Sequence, residues 1–169
     1  VPRQPGSTFK VISSFAPALD TCGATLGSVY YDAPYTVGTK TFRNWYSGGY
    51  QGYSSIRDGI IYSMNIVAVR TLMETVTPQL GVEYAENLGI TSLTKDDLGA
   101  ALSLGGITKG VSNLEMTAAY ASIANGGLYT KPVFFTKILD HDGKLLIDNE
   151  PETHRVLKDS TAFLLTDAM

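Results

Sequence analysis

From Ser7 to Asp20 the chain reads STFKVISSFAPALD, and no other run constrains its fold as much. At about 100° per residue, Thr8, Phe9, Val11, Ile12, Phe15, Ala16, Ala18 and Leu19 share one broad face of a helix. Ser7, Lys10, Ser13, Ser14 and Thr21 fall on the opposite stripe. A helix with so wide an apolar face has to pack against other elements. Pro5-Gly6 supplies the turn before it, and Ser7 suits its first position. Pro17 has no N–H for the ladder, so it is expected to kink this helix or end it about one turn early.

The elements that could cover that face follow downstream. A helix is expected from Ser55 to Tyr62, with Ser54 or Ser55 and Asp58 forming a capping box. Ser63-Met64-Asn65 is a polar break, after which a new helix runs from Asn65 to about Val76. Another spans Pro78 to Leu88, with Gly89 as its stop. GVSNLEMTAAYASIANGG carries its own punctuation: Ser112 and Glu115 as a capping box, Gly126-Gly127 as the stop. Two apolar, β-branched-rich runs then flank Asp142-Gly143, which predicts a hairpin. A last helix begins near Ser160. Residues 27–53 are rich in Gly, Tyr, Ser and Thr with mixed periodicity, and read as extended loop with short strands. Tyrosines and Trp45 beside glycines suit a groove wall and suit plain loop anchoring equally. These elements add up to an α+β class in one domain over residues 1–169.

Charge and cysteine content remove several function classes. A net charge of −3 leaves no basic footprint for nucleic acid or anionic lipid. No apolar run approaches 18 residues, so no segment spans a membrane. Cys22 is the only cysteine; it has no internal disulfide partner, no companions for a thiolate metal site, and reads as a small buried hydrophobe. His141 and His154 lie in polar, loop-like stretches. Neither a metal centre, another cofactor, nor a Ser-His triad is expected.

Two Ser-x-x-Lys pairs remain. Chance alone supplies about 0.7 in a chain of this length, so the spacing by itself carries little. For Ser92 and Lys95, Thr94 with Asp97 forms a capping box, which leaves Ser92 in a connector and off any shared helical face. Ser7 and Lys10 differ, because i and i+3 are neighbours on a helix, about 5–6 Å apart at Cβ. Ser7 also sits where free N–H groups and the positive end of the helix dipole favour an oxyanion. A serine hydroxyl needs a base, and a neutral lysine can serve if burial lowers its pKa by about three units from 10.4. Ser63-x-Asn65 has two readings: the N-cap of the next helix, or a loop that aims a hydroxyl and an amide into a cleft.

Together these residues resemble the serine acyltransferases that bind penicillin, whose signature is Ser-x-x-Lys, Ser-x-Asn and Lys-Thr-Gly. RQPGSTFK is similar to the nucleophile turn of the class A, bifunctional penicillin-binding proteins. YSSIRDGIIYSMNIVAVR is similar to their second-motif helix pair, and LSLGG followed by GVSNLEMTAAYASIANGGLYTKP to a further stretch of the same transpeptidase domain. The resemblance runs from Arg3 to Met169. It implies Ser7 as acylated nucleophile, Lys10 as base, Ser63 as proton shuttle towards the leaving amine, and Asn65 holding Lys10 and the substrate amide. It implies a penicillin-binding protein or serine β-lactamase-like transpeptidase fold, mostly its helical subdomain with a β-hairpin. Most of the five-stranded sheet is then expected outside the fragment, with both chain ends reading as cut.

No Lys-Thr-Gly, Lys-Ser-Gly or His-Thr-Gly occurs in the 169 residues, so the fragment is expected to be inactive by itself. The implied partners of the parent are a peptidoglycan stem peptide ending in D-Ala-D-Ala, and β-lactams. The implied location is the outer face of the bacterial cytoplasmic membrane, with a membrane anchor and a glycosyltransferase domain upstream. A serine β-lactamase, a β-lactam sensor or a non-catalytic helical module are the alternatives. NEPETH, with Glu150 and Glu152, resembles the deacylating loop of class A β-lactamases but reads here as a solvated turn far from Ser63.

Overall fold

The computed structural model describes residues 1–169. Its axis is the first helix, which is composite: a 3-10 turn Gly6–Thr8, a π-helical segment Val11–Phe15, and the α-helix α1, Ala16–Asp20. It does not end a turn early at Pro17. Proline cannot donate to the ladder and its ring crowds the preceding turn. The wider π turn just before it absorbs that insult, and the helix runs on to Asp20. The expected two-faced character is also corrected. Every residue from Phe9 to Ala18 is buried, including Lys10, Ser13 and Ser14 on the polar stripe. Ser13 meets the cost of burial by donating its hydroxyl to the Phe9 carbonyl at 2.9 Å.

Helices surround this pillar. α2 (Ile56–Ile61) opens with the expected capping box of Ser55 and Asp58. α3 (Asn65–Arg70) continues as a π-helical turn, Thr71–Val76, and α4 spans Pro78–Asn87. Short 3-10 turns occupy Lys95–Asp97 and Ala100–Leu104. α5 (Asn113–Ala124) has the Ser112–Glu115 box, and α6 is Asp159–Ala168. Phe9, Ile12 and Phe15 join Leu72, Val82, Leu102 and Leu165 in a core cluster of 26 buried residues.

α4 approaches the pillar at Gly81. A Cβ there would stand 2.7 Å from the Ser13 carbonyl oxygen and 2.8 Å from Leu72 Cδ1. Gly81→Ala is therefore expected to lower stability by about 2 kcal/mol, although alanine is the better helix former by about 1 kcal/mol. Urea denaturation midpoints check this, and a gain in stability would refute the close approach.

The strands form four separate antiparallel pairs. β1 (Val29–Asp32) pairs with β4 (Gly52–Ser55), and β2 (Tyr35–Val37) with β3 (Lys40–Phe42). β5 (Leu128–Thr130) pairs with β8 (Thr153–Arg155), and β6 (Lys137–Leu139) with β7 (Leu145–Asp148). The hairpin at Asp142-Gly143 is thus present, and Ile138, Leu139 and Leu145 to Ile147 stand exposed on it. No five-stranded sheet lies within these residues. Two smaller expectations are corrected. Cys22 is only half-buried, because it sits beyond the end of α1. His154 belongs to β8, with Nε2 3.1 Å from the Asn87 carbonyl, not to a loop.

Candidate active site

Ser7 lies in the middle of the Gly6–Thr8 turn, exposed, with no hydrogen bond from its hydroxyl to the protein. Its neighbours are clamped by residues about a hundred positions further along the chain. Arg3 and Val111 exchange backbone hydrogen bonds of 2.9 and 2.8 Å. The Gln4 amide spans Ile107, donating to its carbonyl at 2.5 Å and accepting from its N–H at 2.8 Å. Tyr120 of α5 donates to the Thr8 carbonyl at 2.7 Å. Burial of Tyr120 pushes its hydroxyl pKa up to about 12, so it stays a donor across the physiological range. Gly105, at φ +71°, presses on Gly6, where a Cβ would come within 2.3 Å of the Gly6 oxygen. Ser7 is thereby presented on a fixed turn with its hydroxyl free for an incoming carbonyl.

Lys10, one turn further on, is only 2% exposed. Its Nζ donates to the Ser63 carbonyl at 2.6 Å and to the Ser63 hydroxyl at 3.0 Å. None of the ion pairs involves it. Burial lowers its pKa from 10.5 to about 8. A neutral amine has two N–H donors and one lone pair. At a pKa of about 8 the amine is mostly charged at pH 7 and neutral above 8; in the neutral form, with both donors on Ser63, the lone pair is left to accept a proton.

Ser63 adopts φ +50°, a left-handed conformation that costs a non-glycine residue about 1–2 kcal/mol. Fully buried Met64 anchors the loop, and its N–H reaches the Gly59 carbonyl at 2.9 Å. The geometry removes the capping reading of Ser63-x-Asn65. The N-cap position of α3 is Met64, and neither Ser63 nor Asn65 caps the helix. The Ser63 hydroxyl faces Lys10 instead. Asn65 departs from the role that the resemblance implied: its Nδ2 donates to the Arg43 carbonyl at 2.9 Å, and Lys10 bonds Ser63 alone.

Trp45, Tyr46, Gln51, Ile61, Tyr62 and Ser63 line a cleft of about 380 Å³, so the Tyr-rich loop serves as a wall next to the Ser63 hydroxyl. The second Ser-x-x-Lys pair does not converge: Ser92 donates to the Gly110 carbonyl at 2.6 Å while Lys95 is exposed on its 3-10 turn. Glu150 and Glu152 are exposed, 3.8 Å from Lys137 and Lys131 respectively. No group of three His, Cys, Asp or Glu side chains is placed to hold a metal. Sequence reasoning missed Gln4, Gly105 and Tyr120, none of which carries a chemical signature; they act on the Ser7 turn only through contacts about a hundred residues apart in the chain.

Residues 2–169 match the family model of the penicillin binding protein transpeptidase domain. Penicillin-binding protein 1F of Bacillus subtilis is 37% identical over 97% of this chain, which spans 22% of that relative. Penicillin-binding protein 1A of Clostridium acetobutylicum is 34% identical over 99% of the chain, again 22% of the relative. The chain thus covers about a fifth of the length of the curated relatives it matches. Among solved structures, the PonA1 protein of Mycobacterium tuberculosis in complex with penicillin V superposes with a TM-score of 0.88 at 27% identity, over all of this chain and 47% of that one. With a family match over almost every residue and relatives more than 30% identical along nearly its whole length, the chain belongs to the transpeptidase domain family of the penicillin-binding proteins.

Proposed function

We propose that these residues form the acylating half of a serine D,D-transpeptidase that cross-links peptidoglycan stem peptides. Ser7 attacks the carbonyl of the penultimate D-alanine. Its proton passes to the lone pair of neutral Lys10, and the C–N bond to the terminal D-alanine breaks. The proton reaches the leaving amine by way of the Ser63 hydroxyl. An amino group of a neighbouring stem then takes the acyl group and returns the proton to the site. A β-lactam traps Ser7 at the acyl-enzyme stage. The observation that carries this reading is Lys10: an amine sealed from solvent, with both neutral-form donors spent on Ser63. Asn65 spends one Nδ2 hydrogen on the Arg43 carbonyl, and its second N–H and its Oδ1 carry no protein hydrogen bond, which supports a role in holding the substrate amide.

The whole protein, on this reading, works at the outer face of the cytoplasmic membrane, carried by an anchor and a glycosyltransferase domain outside these residues. Within them no helix is long and apolar enough to cross a membrane. The exposed, ion-paired Glu150 and Glu152 lie outside the Ser63 cleft and favour a long-lived acyl-enzyme over β-lactamase turnover. Fluorescent penicillin tests the proposal. Full-length protein containing these residues and a third motif is expected to label stoichiometrically at Ser7 without turnover. The 169-residue chain is expected to label at least about 100-fold more slowly, for lack of one oxyanion donor. Labelling absent from full-length protein, or sited elsewhere than Ser7, would overturn the proposal.

A further inference from the structure

The first amides of α3 receive no help from their own neighbourhood. Met64, at the N-cap position, has no acceptor to offer, and an uncapped N-terminus leaves donors unsatisfied. The acceptor comes from 21 residues away: Asn44 Oδ1 accepts from the Asn65 N–H at 3.0 Å and from the Ile66 N–H at 3.2 Å. Asn44 can face only one way. Its Nδ2 donates at 2.7 Å to Asp32 Oδ1, and a carboxylate can only accept. Asp32, 1% exposed, is itself oriented by the Gln51 N–H at 2.9 Å on its other oxygen. On either side of Asn44, the Arg43 carbonyl takes the Asn65 amide and the Trp45 Nε1 reaches the Tyr62 carbonyl at 3.3 Å. Residues 43–45 thus grip the 62–66 loop at both of its ends, at Tyr62 and at Asn65-Ile66, with Ser63 held between them.

What that grip holds is the one strained residue of the site. Ser63 stays left-handed only while the surrounding structure over-determines it. Its carbonyl and hydroxyl are the two acceptors that fix the Lys10 amine. Outsourcing the cap also frees the Ser63 hydroxyl from capping its own helix. We infer that Asn44, oriented by buried Asp32, is a positioning residue that holds Ser63 against the Lys10 amine. Asn44 has no hydrogen bond to Lys10 and is not itself one of the residues lining the cleft, so its action runs through the α3 amides.

The bond pattern prescribes the test. In Asn44→Asp the capping oxygen survives, but the second oxygen faces Asp32, acceptor against acceptor. Combining it with Asp32→Asn restores every bond: residue 32 accepts from Gln51 and donates to residue 44, which still accepts from the α3 amides. The readout is the titration of Lys10 in full-length protein containing these residues, followed by NMR of its ¹³Cε; Asp32 and Tyr46 are the titratable groups at the relay. Asn44→Asp is expected to move the Lys10 midpoint up by about one pH unit or more, from about 8 towards 10.5, as the loop releases the amine to water. The double variant is expected to return it to the wild-type value. If Asn44→Asp does not fold, the double variant decides alone and must fold with the wild-type midpoint. A folded Asn44→Asp with an unmoved midpoint, or a double variant that fails to restore it, overturns the inference. This arm needs no acyl transfer. The rate of penicillin acylation in full-length protein, expected to fall about tenfold in the single variant and recover in the double, rests on the proposed function and fails separately from it.

Discussion

Replacing Lys10 with methionine is expected to slow acylation of Ser7 by about a thousandfold while leaving the fold intact. Methionine fills a similar volume among buried neighbours, so packing survives. The lone pair that takes the serine proton does not. The same substitution has a thermodynamic signature with a defined sign. The folded-state pKa of Lys10, about 8, lies below its ordinary 10.5, so the unfolded chain binds more protons between those values. Stability of the wild type therefore rises with pH across about 8 to 10.5, and the penalty of charging the buried amine is fully present below 8. At about 1.4 kcal/mol per unit the rise amounts to about 3 kcal/mol. Lys10→Met is expected to lose it. Urea midpoints at pH 7 and pH 10 check the claim: wild type gains stability from Lys10 over this interval, and the variant gains less by that amount. Equal pH slopes for the two proteins would mean that Lys10 titrates as a solvated lysine.

Gly105→Ala is the second large effect. Alanine at φ +71° costs about 1–2 kcal/mol, and its Cβ would stand 2.3 Å from the Gly6 oxygen and 2.8 Å from Gly6 Cα. Backbone meets backbone there, so no side chain can swing aside, and a loss of about 4 kcal/mol is expected. Gly127→Ala is the matched control. Its φ is +84° and its Cβ would fall 2.2 Å from the Leu157 oxygen, in a contact that joins the end of α5 to the approach of α6. Both variants are expected to melt early. Only Gly105→Ala displaces the turn that carries Ser7, so only it is expected to lose acylation per folded molecule, by tenfold or more, in full-length protein assayed below both melting points. Equal residual activity in the two would detach Gly105 from the site.

The local features of this fold were legible in the chain. Capping boxes at Ser55, Thr94 and Ser112 and the glycine pair at 126–127 act over three or four residues, and the helices start and stop where they indicate. Ser7 and Lys10 were legible because one helical turn relates them. The features that were not legible are those decided by distant contacts. A polar stripe on a helix reads as solvent-facing, yet Lys10, Ser13 and Ser14 are buried because α3, α4 and the Ala100–Leu104 turn close around the pillar. Pro17 predicts a kink or an early end, and the π turn over buried Val11–Phe15 that carries the helix on to Asp20 is not encoded in the periodicity. Ser63 and Asn65 stayed ambiguous between caps and cleft residues because the real cap, Asn44, lies 21 residues upstream and across a strand pair. The Gln4, Gly105 and Tyr120 clamps are invisible for the same reason: each closes a loop of about a hundred residues.

The central claim is that a buried, deprotonated Lys10 activates Ser7. Its most direct test is the single-turnover rate of penicillin acylation in full-length protein, measured from pH 6 to 10, with peptide mapping of the adduct. A rate that climbs through a midpoint near 8 and then levels, with the penicilloyl group on Ser7, is the expected result. A rate flat across that range, or an adduct on another residue, would contradict it.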